Sequence, residues 1–139
     1  MATAVVVDTN ILFSALLKED SRFLEVLLDS QYEFYASELL VTELFAHKER
    51  IVRASRLPEP RIVKVLHTLL EQITIYREQQ VPREHKREAL RLCVDVDPAD
   101  TPHVARALAL NAPLWTGDRK LRRGLEAKGF THFFDPGDV

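Results

Sequence analysis

The chain has 139 residues, 46% of them hydrophobic, which suits one soluble domain over residues 1–139 with a single core. Lys and Arg number 19 against 21 Asp and Glu, for a net charge of −2. That balance argues against broad non-specific binding to nucleic acid, which needs a basic surface, but leaves room for an enzyme with local basic patches. No apolar run reaches the roughly 18 residues of a membrane span.

The segment after Met1-Ala2-Thr3 has no basic residue ahead of it and ends at Asp8. It reads as a first strand over residues 3–8, buried on both faces, and not as a signal peptide. A helix follows over residues 9–17. Ser21 can cap a second, reaching residue 28. Residues 32–35 form a short aromatic strand, and Ser37 can cap a long helical region to residue 55. Leu57-Pro58-Glu59-Pro60 is the strongest break and predicts a loop between helices. Ile62, Val65, Leu66, Leu69 and Leu70 then draw a 3.6-residue stripe on a helix over residues 61–71. Residues 73–76 are a strand, and Pro82 opens a helix through residue 92. The only cysteine, Cys93, lies between Leu92 and Val94 and reads as core; without an internal disulfide, a cytoplasmic location is the default. Thr101 is a natural cap with Pro102 at the first helical position, and that helix ends near Asn111. Residues 113–116 are a strand containing Trp115, a core residue. Gly117 lets the chain turn sharply into a helix over residues 118–128, closed by Gly129. Residues 131–134 make a last short strand. Strands alternating with helices predict an α/β fold with right-handed crossovers and a mainly parallel sheet.

Four acids stand where such a fold brings them together. Asp8 ends the first strand, and Asp118 follows the strand before it. Asp100 opens a helix. On a helical wheel Glu43 falls about 60° from Leu40, at the edge of the apolar stripe of its helix. Parallel sheets build their sites at the C-terminal edge of the strands. Each acid also has a plainer use: Asp8, Thr9 or Asn10 can cap the next helix, as Asp118 can cap its own. Asp97 is a further candidate, ranked behind Asp100. A carboxylate on an inner helix face needs a partner, so Glu43 is expected to meet an Arg, a Lys or a metal. Carboxylates converging at one edge repel unless a cation sits among them. The set Asp8, Glu43, Asp97, Asp100 and Asp118 suits Mg²⁺ or Mn²⁺, hard ions that prefer oxygen ligands. Thr9, Asn10 and Thr116 can orient those ligands by hydrogen bonds. Chemistry on phosphates follows.

Two basic clusters are candidate nucleic-acid contacts, with a solvated helix face as the plainer reading: Lys48, Arg50 and Arg53 with Arg56, and Arg119 and Lys120 with Arg122 and Arg123. The five histidines and one cysteine lack the spacing of a zinc site. His103 is near Asp100, and its default place is the surface of its helix. No Gly-rich phosphate loop is present, which argues against an ATPase.

These residues resemble PIN-domain nucleases. Val5-Val6-Val7-Asp8-Thr9-Asn10-Ile11-Leu12 is similar to the opening of that family. Thr42-Glu43-Leu44 fits its second acid, and Asp97-Pro98-Ala99-Asp100-Thr101-Pro102 its third. Leu114-Trp115-Thr116-Gly117-Asp118 fits its fourth. The resemblance implies a three-layer α/β/α fold and Mg²⁺- or Mn²⁺-dependent hydrolysis of RNA, with Asp8, Glu43, Asp100 and Asp118 as catalytic acids. It also implies a VapC-like toxin held by an antitoxin and commonly a homodimer. The region around Pro58-Glu59-Pro60 would then form a clip over the site or a partner surface. Competing readings fit less well. A receiver domain wants adjacent acids after its first strand, and an Asp-nucleophile phosphatase wants a second Asp at position 10. A PIN-like module that binds RNA or protein without cutting is the remaining alternative.

Overall fold

Three consecutive valines set the layers. Val5, Val6 and Val7 of strand β1 (Thr3–Val7) are fully buried. Successive strand residues point to opposite faces, so both faces must be covered. Val5 and Val7 join one core, and Val6 joins another. The first core is covered by α1 (Thr9–Ala15), α2 (Arg22–Leu27), α3 (Leu39–Ala54) and α4 (Glu59–Gln72). The second is covered by α5 (Arg83–Cys93), α6 (Thr101–Leu110) and α7 (Arg119–Ala127). The result is a three-layer α/β/α arrangement. The structure is a computed structural model and describes residues 2–17 and 22–136; the expected cap at Ser21 lies outside them.

Between the layers, β2 (Tyr32–Ser37), β3 (Thr74–Tyr76) and β4 (Leu114–Trp115) join β1 in the order β3-β2-β1-β4, and every pairing is parallel. Val5 lies opposite Phe34, and Val7 opposite Trp115. The C-terminal edges of β1 and β4 therefore adjoin. Trp115 is buried as expected, its ring 5.7 Å from Phe34 and 5.3 Å from Phe134. Cys93 is also core, and burial pushes its thiol up to about 11.

Several local expectations are corrected. Ser37 does not cap α3: it ends β2, fully buried, and its hydroxyl accepts the Leu39 N–H at 3.1 Å, while Glu38 takes the cap position. Asp100, not Thr101, stands at the cap of α6; the Thr101 hydroxyl instead donates to the Pro98 carbonyl at 2.7 Å. The expected last strand is reduced to one bridge, Leu114 to Phe133. The chain does turn at Gly117, between β4 and α7, without a left-handed φ; among the described residues Gly129 (φ 94°) and Asn111 (φ 51°) have one. The Pro58–Pro60 break is also shorter than expected. Pro58 caps α4, and its fixed φ suits the first turn that Glu59 and Pro60 occupy.

Candidate metal centre

The turn after β1 begins with Asp8, which is 3% exposed. Its Oδ1 accepts the Ile11 N–H at 3.0 Å, so it caps α1. The Thr116 hydroxyl and the Asn10 backbone N–H also bond to it. Burial raises its pKa, these hydrogen bonds oppose the rise, and the charge of Asp118 adds to it. Thr116 works twice, because its hydroxyl also accepts the Asp118 N–H at 3.1 Å. Asp118 caps α7 by accepting the Leu121 N–H at 3.1 Å. Capping occupies only part of a carboxylate, whose two oxygens offer about four lone-pair sites. The capping and ligand readings of these acids are thus compatible.

Asp97 and Asp100 bracket a 3₁₀ turn, Pro98–Asp100. Asp97 caps it through the Ala99 N–H at 3.1 Å. Asp97, Asp100 and Asp118 each offer an oxygen within 4.8 Å of the others. A hard divalent ion with ligands at roughly 2.0–2.6 Å bridges that spacing. Asp97 thus offers an oxygen to the same cluster as Asp100. Asp100 is pushed up to about 8, first by burial, then by the charge of Asp8, a hydrogen bond and charge from Asp97, and the charge of Asp118. Among the described residues no Lys or Arg forms an ion pair with Asp8, Asp97, Asp100 or Asp118. The donor set is all oxygen and lacks a counter-charge, which fits a hard cation.

Glu43 lies outside that trio and is half-buried on α3. Its contact is with Thr9, whose hydroxyl donates to Oε1 over a long 3.4 Å. The expected Arg or Lys is not its partner among the described residues. Of the three supporting residues, Thr9 and Thr116 use their hydroxyls, while Asn10 has an exposed side chain and contributes its backbone N–H. Arg119 and Lys120 are exposed directly after Asp118. Arg50 and Arg53 are exposed farther along α3; Lys48 is exposed but paired with Glu59 at 3.5 Å. Arg122 is held by Asp135 at 2.7 and 2.8 Å. His103 is not a surface residue: it is 5% exposed, its Nδ1 has no hydrogen-bond partner, and burial pushes its pKa down to about 4. The cause is α6 itself, which packs between α5 and the sheet.

Comparison with known proteins agrees with this geometry. Residues 6–132 match the model of the PIN domain. A solved structure described as VapBC2 from Rickettsia felis bound to a DNA fragment from their promoter shares the fold, with a TM-score of 0.62 and 19% identity. The match covers 87% of this chain and 92% of that one. PAE2754 from Pyrobaculum aerophilum has a TM-score of 0.59 and 18% identity, over 92% of this chain and 88% of that one. At such identities these structures speak for the fold alone. No curated protein matches the sequence. With its parallel sheet, its acids at the strand edge and a family match over nearly its whole length, the chain belongs to the PIN domain family.

Proposed function

We propose that this chain is a metal-dependent endoribonuclease that hydrolyses RNA phosphodiester bonds, and that it is the toxin of a toxin–antitoxin pair. One observation carries the enzymatic reading: the oxygens of Asp97, Asp100 and Asp118 converge without a counter-charge among the described residues, beside buried Asp8. These four, with Glu43 at the margin, would hold Mg²⁺ or Mn²⁺ and are the catalytic acids of this reading. Such an ion, when bound, activates water and offsets charge on phosphoryl oxygens. The protein's own groups supply the rest. Thr116 fixes Asp8 against Asp118, and Thr9 orients Glu43. One of these acids, or a neighbour, would take the proton from water. Arg119 and Lys120 offer charge to the RNA backbone next to Asp118, and Lys48, Arg50 and Arg53 extend that path along α3.

Membership of the PIN family supports the nuclease reading. The Rickettsia felis structure, named as a VapBC, supports an antitoxin as partner. An apolar groove supports that partner. A groove of about 340 Å³ between α3 and α4 is lined by Val41, Leu44, Phe45, Val63 and Leu66. Phe45 is 87% exposed, an unusual state for a large apolar side chain. We assign the α3–α4 face to the antitoxin, and a homodimer to another face.

The test is cleavage of single-stranded and structured RNA with Mg²⁺, Mn²⁺ or EDTA. Loss of groups that merely orient a ligand costs about 10- to 100-fold, so Asp8→Asn should cost on the order of 100-fold or more. Cleavage that persists in EDTA, or in Asp8→Asn freed of contaminating nuclease, overturns the reading.

A further inference from the structure

Residues 95–97 lie along α7 in reverse order. At the C-terminal end of that helix, Lys128 Nζ donates to the Arg91 and Leu92 carbonyls at 3.0 and 3.2 Å and is paired with Asp95. Those carbonyls belong to the last turn of α5, where the helix leaves acceptors without partners of its own. One turn back along α7 is Gly124. A Cβ placed there would lie 2.6 and 2.7 Å from the Val96 methyls and 3.2 Å from its Cβ. At the N-terminal end is Asp118, which shares the acidic trio with Asp97. The pairs 95–128, 96–124 and 97–118 thus follow one another down a single seam.

Gly in a helix interior is unfavourable relative to Ala and asks for a reason. Close approach of Val96 is that reason here. Val96 cannot readily swing aside, because its β-branched side chain is stiff at χ1. Its backbone is tied as well: the N–H groups of Val96 and Asp97 both donate to the Cys93 carbonyl, at 3.0 and 2.9 Å. A push on Val96 therefore reaches Asp97.

We propose that Gly124 and Lys128 are positioning residues for Asp97, so that α7 both carries Asp118 and gauges where Asp97 meets it. The inference rests on the reading of this cluster as a metal centre. Three variants test it: Gly124→Ala, Gly124→Ala/Val96→Ala, and Lys128→Met, which keeps the side-chain stem and removes the charge. Mn²⁺ affinity is measured by calorimetry on folded protein, and amide resonances of Asp97 and Ala99 are followed by NMR without metal. Gly124→Ala should weaken Mn²⁺ binding by about 10-fold, the range for groups that orient ligands. The double variant should recover most of that loss, since the methyls that clash are gone. Lys128→Met should weaken binding in the same direction. Wild-type affinity in Gly124→Ala, or a loss that Val96→Ala does not restore, overturns the proposal. If the wild-type protein binds no Mn²⁺, the metal-centre reading falls. The seam is then judged by NMR: shifts at Asp97 and Ala99 that move in Gly124→Ala and return in the double variant sustain it, and unmoved shifts overturn it.

Discussion

Asp100 keeps a proton at neutral pH because its own burial and three other acids, Asp8, Asp97 and Asp118, make the charged form unfavourable. The unfolded chain has no such surroundings, and its carboxyl titrates near 3.8. The folded state therefore binds this proton more tightly, and its stabilising contribution is complete below about pH 4 and lost as pH rises through about 8. In EDTA, the melting temperature should fall between pH 5 and pH 8, and Asp100→Asn should flatten that slope. With excess Mg²⁺ the trend should reverse, since binding displaces the proton and gains from high pH. Circular-dichroism melts at several pH values check both; an EDTA profile that rises from pH 5 to 8 would contradict the assignment. At this scale the sequence was readable where placement follows from chain position. Asp8 and Asp118 follow strands, and Asp100 opens a helix. Asp97 was less legible: the turn over residues 94–96 returns it to Asp100 and Asp118 beside α7, and no local pattern records that. His103 was misplaced for a related reason: α5 covers a helix face that periodicity alone leaves open.

Among the elements, the α3–α4 pair carries the largest apolar exposure. Val41 is 61% and Val63 58% exposed, flanking Phe45. Substitution at an exposed site away from caps and cores usually shifts stability by no more than about 0.5 kcal/mol. Phe45→Glu should therefore melt like the wild type and cleave RNA normally, yet fail to co-purify with a co-expressed antitoxin. Retained co-purification would move the partner to another face. The helices themselves were legible within a few residues, because each buries a stripe. The last strand was not. Phe133 makes one bridge while the neighbouring Phe134 is drawn into the rings of Tyr32, Phe34 and Trp115. Alternation of polar and apolar residues cannot tell those two uses apart.

Across the whole molecule, two cores meet at a thin sheet, and β4 contributes only Leu114 and Trp115 to it. Trp115→Ala should cost about 3–5 kcal/mol, the usual range for a buried aromatic, and urea denaturation would measure it. A cost under about 1 kcal/mol would mean the Phe23, Phe34 and Phe134 rings close over the gap. The α/β class was visible in the alternation of strands and helices. The order β3-β2-β1-β4 was not, because it depends on pairings far apart in sequence, and no local run of residues records them.

That distance bears on how the molecule is made. Val7 pairs with Trp115, and Asp8 comes to share a hydroxyl with Asp118 through Thr116. Asp8 is synthesised well before Asp97, Asp100 and Asp118. Contacts of such long range form late in folding. A chain interrupted before residue 118 therefore holds Asp8 with an incomplete cluster, and under the proposed nuclease reading its fragments should be inert instead of partly active.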